Sequence, residues 1–484
     1  MKRALAAVGA LLAALLCVVV ARALLAGAGP APDAPRADDF AVDAEAVAKR
    51  LAGALRFQTI SYGAEGSRDD AAFAGLRAYL AATWPRVQGL APEPIAEHSL
   101  LYTWRGRDRD APALLLAAHQ DVVPVPSPQE WHHPPFDGVV ADGMVWGRGA
   151  LDDKGSLVCI FEAVESLLAE GFVPERTVYL AFGHDEEIGG DAGARMIAET
   201  LASRGVRLAF VLDEGGAVAD GMLERPVALI GIAEKGMLDV RLRVEATGGH
   251  SSTPPRQTAI GILAAALDAL ERHPMPAHVG GTFEHLVAHL APEVGFWPRL
   301  ALANLWLVGP FVPWVSPRVP ILDAMLRTTT APTVVRGGVK SNVLPRDAEA
   351  IVNFRILPGD SVEDVLAHVR RVVGDERVAV QTPDDRPGRG PSGVSPDDGP
   401  AFGAVVRAVR AVYPDAVAAP YLVVGGTDAR HYARLGDAAY RLLPFRVGAE
   451  ALRLAHGTDE GISVENLGRG VRFYRELLKA PLAP

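Results

Sequence analysis

Cysteine is almost missing from this chain of 484 residues: only Cys17 and Cys159 occur. One lies in an N-terminal apolar segment and the other inside an apolar helical pattern, so neither a disulfide framework nor a thiolate metal site is available. Any bound metal must take histidine and carboxylate ligands. Positive charge is also short, with Lys+Arg 48 against Asp+Glu 58 and a formal net charge of −10. No basic patch stands out, which argues against nucleic-acid partners, since those need cations to displace counterions from phosphates. Beyond the N-terminus no long apolar run is left unbroken. The most apolar stretch, Thr282 to Thr333, is cut by Pro292, Pro298, Pro310, Pro313, Pro317 and Pro320, and a helix crossing a bilayer would not be interrupted so often.

What is present is enough apolar residue, 49%, to bury a large core divided among two or three units. The chain opens Met1-Lys2-Arg3 and runs apolar from Ala4 to Ala21, then past Arg22 to Ala28. Residues 1–29 read as a signal anchor or signal peptide. An uncleaved anchor is expected, with Lys2 and Arg3 in the cytoplasm and the rest of the chain outside it. Cleavage at Ala26-Gly27-Ala28 would give a secreted protein. Residues 30–39, rich in Pro, Ala and Asp, form a linker.

From Phe40 to about residue 234 short apolar runs alternate with longer amphipathic ones, the pattern of βαβ units. Strands are expected over Ala113–Ala118, Thr177–Phe182 and Ala209–Leu212, and a helix over Ser156–Glu170, closed by Gly171. Strict alternation at Leu238–Val244 and Ala348–Arg355, each followed by a helical run, changes the pattern to half-buried antiparallel strands. The expected fold is α/β: a catalytic domain with a mostly parallel sheet and helices on both faces, built from residues 40–234 and 381–484, and an inserted smaller α+β domain over residues 235–380.

Chemistry gathers just past the expected strands. His119-Gln120-Asp121 follows the first, Gly183-His184-Asp185-Glu186-Glu187-Ile188-Gly189-Gly190 the second, and Asp213-Glu214-Gly215-Gly216 the third. A Gly-rich turn, Gly147 to Gly155, holds Asp152 and Asp153, and His456 lies near the end of the chain. Open α/β sheets bind ligands at that carboxyl edge. The set His, Asp, Glu, Asp and His mixes nitrogen and oxygen donors in the way that suits zinc.

These motifs resemble the di-zinc metallopeptidase family of carboxypeptidase S, aminoacylase and succinyl-diaminopimelate desuccinylase. The strings His119-Gln120-Asp121-Val122-Val123-Pro124-Val125, Leu212-Asp213-Glu214-Gly215-Gly216 and Gly426-Thr427-Asp428-Ala429-Arg430-His431-Tyr432 are similar to the carboxypeptidase S and secreted N-acyl-amino-acid hydrolase branch. The resemblance implies two zinc ions, one held by His119, Asp152 and Asp213 and the other by Asp152, Glu187 and His456. A two-metal site needs one carboxylate to span both ions. The resemblance gives that place to Asp152, with Asp153 the competing bridge. It makes Glu186 the general base acting on a water between the metals, though Glu187 could exchange roles with it.

Asp121, two residues from His119 on an extended chain, can accept the imidazole's other N–H and fix its tautomer, or simply cap the next turn. His250 could be a turn residue. The resemblance implies instead that it reaches the active site of a partner subunit in a homodimer and stabilises the oxyanion, with Asn342 as a companion contact from the inserted dimerisation or lid domain. Arg355 and the turn Gly425-Gly426-Thr427 are candidates for gripping a substrate carboxylate.

The expected function is hydrolysis of an amide whose amine side is an amino acid with a free carboxylate, in a peptide or an N-acyl-amino acid. Condensation of the same partners is accessible in reverse. A dipeptidase or aminopeptidase on the same fold, or a non-catalytic membrane-tethered binding protein, are the alternatives. The stretch Thr282–Thr333 reads either as extra core or as an apolar cover that receives a long acyl chain.

Overall fold

The computed structural model describes residues 1–27, 40–63, 66–383, 388–448 and 454–482. The linker expected over 30–39, and Ala28 of the small-residue cleavage site, lie outside the described residues.

Three strands, Val178–Gly183, Ala113–His119 and Leu208–Asp213, lie side by side and parallel at the centre of a ten-stranded sheet. Every side chain of Ala113–His119 is buried, because helices cover both faces. That is why the run reads as continuously apolar rather than alternating. On one face the helices Ala44–Leu55, Lys154–Ala169, Pro400–Val412 and Val464–Lys479 share a core that includes Trp84, Phe161, Phe182 and Phe473. The fully buried Phe161 contributes about 1.5–3 kcal/mol by leaving water. On the other face Ala194–Ser203 and Ala429–Tyr432 pack over Leu115, Ala181 and Val211. Toward the edges the sheet turns mixed: Ser99–Trp104 runs antiparallel to Val178–Gly183, while Val417–Val423 runs parallel to Val227–Glu234.

The inserted unit has a four-stranded antiparallel sheet in the order Thr329–Gly337, Asp347–Ile356, Gly236–Glu245, Val378–Gln381. Leu238, Val240, Leu242 and Val244, at alternate positions of one strand, are buried in one cluster with residues of the helices Ala259–Arg272 and Val362–Val373. The second helix begins with a capping box, Ser361 and Asp364 each bonding the other's backbone N–H. The stretch expected to belong to this unit over Thr282–Leu326 behaves differently. Its Phe283, Leu286, Val287, Met325 and Leu326 are buried against Val227, Val417 and Ala419 of the catalytic sheet, so these short helices extend the larger domain.

The first helix, Lys2–Leu25, passes by length and apolarity as a membrane span. It is exposed along nearly its whole length, with only Val19 and Ala23 buried. Its end docks on the broken helices, where Asn304 Nδ2 donates to the Val19 carbonyl at 3.0 Å and Arg22 Nε to the Ala303 carbonyl at 3.1 Å.

Candidate active site

The site collects at the carboxyl edge of the three central strands. His119 is the last residue of its strand, fully buried, and paired in register with Gly183. Its Nε2 lies 3.0 Å from Asp152 Oδ1. The other Asp152 oxygen, Oδ2, lies 3.0 Å from His456 Nε2, which in turn is 3.2 Å from Glu187 Oε2. One carboxylate therefore presents one oxygen to each imidazole. Burial would raise the Asp152 carboxyl, but hydrogen bonds from His119 and His456 outweigh it and hold the group well below the usual range. The same bonds, to Asp152 and Glu187, raise His456 to about 10.

Asp152 is held from behind. Glu460, fully buried, accepts from the backbone N–H groups of Leu151 and Asp152 through Oε1 and from that of Gly149 through Oε2. Arg148 Nη1 binds the same carboxylate at 2.6 Å. Gly149 has φ +86°, and a Cβ there would sit 2.7 Å from Val122 Cγ1, so the turn requires glycine on two counts. His456 itself lies in the left-handed region at φ +64°, a conformation that an L-residue keeps only where its surroundings hold it.

Asp121 meets His119 first through its backbone, whose carbonyl lies 3.0 Å from His119 Nδ1. Its Oδ1 lies 3.3 Å from His119 Nδ1, and its two oxygens accept the backbone N–H groups of Glu186 and Glu187, each at 3.2 Å. One side chain thus orients the imidazole and the acidic turn together. Burial would raise Asp121, and its bond to His119 overrides this and lowers it. Glu186 is different, because its carboxylate has no hydrogen-bond partner among the described residues. Burial first, then the carboxylates of Asp428, Glu187 and Asp121, raise its pKa despite His119 nearby. Asp428 comes close through Gly190, at φ +67°, where a Cβ would lie 2.0 Å from Asp428 Oδ1.

The structure adds to the sequence reading at two positions. Beside Asp213, the neighbouring Glu214 places Oε1 3.8 Å from His119 Nε2 and forms a group with His119 and Asp152. Asp213 is the last residue of its strand, and Glu214 is the first beyond it, where the backbone leaves the pleat. Thr427 is held from within the fold. Its N–H and hydroxyl both donate to Glu234 Oε2, at 3.1 and 2.9 Å, beside Arg441 Nε at 3.0 Å. This buried network fixes the Gly425-Gly426 turn from below.

His250 and Asn342 are both exposed. They belong to one small two-stranded arm of the inserted unit, in which His250 pairs with Val343 and the Ser251 N–H donates to the Asn342 carbonyl. Neither contacts the acidic cluster within the chain. Arg355 is half-buried on the strand Asp347–Ile356, and desolvation lowers its pKa. Near it, Arg389 is half-buried and has no ion-pair partner among the described residues. A Cβ on Gly426 would lie 2.9 Å from Arg389 Nη2, and one on Gly189 3.9 Å from its Nη1, so this guanidinium spans the gap between those two turns.

Two groups of donors could each hold a metal ion: His119, Asp152 and Glu214, and Asp152, Glu187 and His456. The residues fit divalent cations. Four carboxylates, Asp152, Glu187, Glu214 and the free Glu186, crowd around two imidazoles, and the buried Glu187 Oε1 and Asp213 Oδ2 have no hydrogen-bond partner. Such an excess of buried negative charge is tolerated only with counter-charge. Glu214, Glu460, Asp428 and Arg389 were not singled out from sequence. Glu214 adjoins a residue that was, and Glu460 lies four residues past His456.

Residues 115–480 match the model of peptidase family M20/M25/M40. The chain is 40% identical over 442 residues, 90% of its length and 84% of the relative's, to "Probable carboxypeptidase S-like 2" of Dictyostelium discoideum. It is 39% identical over 444 residues, 90% of its length and 87% of the relative's, to "N-fatty-acyl-amino acid synthase/hydrolase PM20D1" of Mus musculus. Among solved structures it is similar to the M20 family metallo-carboxypeptidase Sso-CP2 from Sulfolobus solfataricus, at TM-score 0.66 and 19% identity, covering 89% of this chain and 98% of that one. Human carnosine dipeptidase 1 superposes at TM-score 0.62 and 16% identity, over 90% and 96%. With its acids and imidazoles gathered at one sheet edge and a family match across most of its length, the chain belongs to peptidase family M20/M25/M40, as a metal-dependent peptidase or amidohydrolase.

Proposed function

We propose that the protein hydrolyses N-acyl-amino acids or C-terminal peptide bonds with two zinc ions, and that the leaving amine belongs to an amino acid with a free carboxylate. The observation that carries the reading is Asp152, whose two oxygens face two different imidazoles. That is the arrangement a bridging carboxylate needs. In this reading His119, Asp152 and Glu214 hold one ion, with Asp213 beside them, and Asp152, Glu187 and His456 hold the other. Bound there, the ions would polarise the scissile carbonyl and make water a competent nucleophile near neutral pH.

The chain's own residues do the rest. Glu186, unpartnered and adjacent, takes the proton from the attacking water and returns it to the leaving amine. Asp121 holds His119 in one tautomer and fixes the turn that aims Glu186. Arg389 and Arg355, both desolvated, hold the substrate carboxylate beside the Gly425-Gly426 turn. His250 and Asn342, on their exposed arm, reach the site of a partner subunit in a homodimer and steady the developing oxyanion. The helix Lys2–Leu25 anchors the protein with its catalytic part outside the cytoplasm.

The identity to PM20D1 favours an acyl-amino acid over a dipeptide. The test compares turnover of N-acetyl, N-octanoyl and N-dodecanoyl forms of one amino acid, below their micelle thresholds, with that of dipeptides. If a chain is received by apolar surface, each methylene adds about 0.8 kcal/mol, so four carbons raise kcat/KM by roughly 10²-fold. A flat or falling series moves the reading to a short-peptide carboxypeptidase.

A further inference from the structure

The broken helices Phe296–Leu302 and Leu305–Arg318 leave an unusual surface in water. Trp297 and Trp314 are each 78% exposed, Phe311 62% and Trp306 52%. From Val294 to Leu322 there is no carboxylate, and the only charges are Arg299 and Arg318. The nearest acids on either side are engaged, Glu293 with Arg225 and Asp323 with Arg327. Both Arg299 and Arg318 cap local carbonyls, those of Ala291, Pro292 and Val294 for the first and of Trp314 for the second. The two pieces meet at a 67° bend, and each is too short to cross a bilayer.

The position of this surface is set by the first helix. At about 1.5 Å per residue, Val19 and Arg22 stand about 26–30 Å from Lys2 along its axis, and a hydrocarbon core is about 30 Å thick. Those two residues are the ones bound to Asn304 and Ala303. If Lys2 lies at one face of the bilayer, the aromatic surface therefore lies at the other. Tryptophan-rich, acid-free, proline-broken helices suit that level, where rings sit among headgroups and acyl chains. A cleft of about 640 Å³ between Leu25, Ala288, Leu302, Leu305 and Trp306 opens at the same junction.

We propose that the segment Phe296–Ile321 is a membrane-seated platform, immersed in the outer leaflet beside the anchor helix, with phospholipid as its occupant. The proposal rests on the reading of Lys2–Leu25 as an uncleaved anchor, and the test separates the two. The full chain is reconstituted in phosphatidylcholine vesicles with and without lipid brominated high on its acyl chains. Flotation with the vesicles reports the anchor, and quenching of tryptophan emission reports the platform. Quenching is expected in the native chain and its loss in W297L/W306L/W314L, because Trp84, Trp104, Trp131 and Trp146 all lie in the catalytic domain. Unchanged turnover of an N-acetyl-amino acid by that variant shows that the fold survives. A chain that floats but is not quenched overturns the platform alone, and is the result expected if a second copy or a soluble protein covers these rings. Quenching that persists in the triple variant also overturns it. A chain that fails to float overturns anchor and platform together.

Discussion

The backbone N–H of Asp152 donates to Glu460 Oε1 at 3.0 Å, so the carboxylate that faces both imidazoles is carried on a turn held by another buried carboxylate. Glu460 has no place in the proposed donor set, yet three amides and Arg148 converge on it.

Replacing Glu460 with Ala should therefore loosen the Asp152 turn and strand Arg148. Removing one partner of a buried pair costs about 3–5 kcal/mol, so a large fall in thermal midpoint is expected. Glu460→Gln keeps one acceptor oxygen, enough for the Leu151 and Asp152 amides, and should recover part of the loss. Calorimetry together with zinc titration of both variants checks this, and a melt unchanged in E460A would remove the organising role.

Glu214 and Asp213 make opposite claims on the first ion. Glu214→Gln should lower bound zinc from about two per chain toward one, whereas Asp213→Asn should leave the content near two. Metal analysis of the purified variants decides between them, and the reverse result restores Asp213 as the ligand.

Glu186→Gln retains size and loses the basic oxygen. Its zinc content should match the parent while turnover drops by about 10²–10⁴-fold, the span for a general base. Activity kept within a few-fold would assign the proton to Glu187 or to no residue.

Stripping the metal should give a protein that weakens as pH rises. His456 is raised to about 10 by Asp152 and Glu187, so its stabilising charge is fully present below about 6.5 and is lost as pH climbs through about 10. Burial raises Glu186, Glu187 and Glu214, and ionising them on the way up works in the same direction. Thermal melts in chelator from pH 6 to pH 10 should fall steadily, and excess zinc should flatten the trend. A rise in stability over that range would contradict this charge arrangement.

The exposed His250 arm gives a test of assembly. Mixing inactive Glu186→Gln and His250→Ala chains should restore part of the activity if the site is completed across a dimer, since some mixed dimers hold one intact site. Absence of recovery after proven subunit exchange would confine His250 to its own chain.

Sequence carried the central sheet well because its strands are uniformly apolar and stop where the ligands begin: Ala113–Ala118 was expected and Ala113–His119 is found. The acidic turn stands at the end of such a run, whereas the role of His456 comes only through the family resemblance. What the pattern leaves open is finer. Choosing between Asp213 and Glu214 depends on where the pleat ends, since adjacent residues point to opposite faces. Glu460 could not be seen because its partners lie more than 300 residues away, as the Leu151 N–H does. The helices over Thr282–Leu326 were assigned to the inserted unit by position, but Phe283 and Leu286 find their apolar partners on the catalytic sheet, a choice that only packing makes.

His456 and Glu460 lie about 300 residues after Asp152 in the chain, and synthesis delivers the N-terminal side first. Until those two residues arrive, Asp152 has no support behind it and only one imidazole before it. On the proposed reading, a copy cut short before His456 should therefore turn over no amide, and assay of such a truncation checks this.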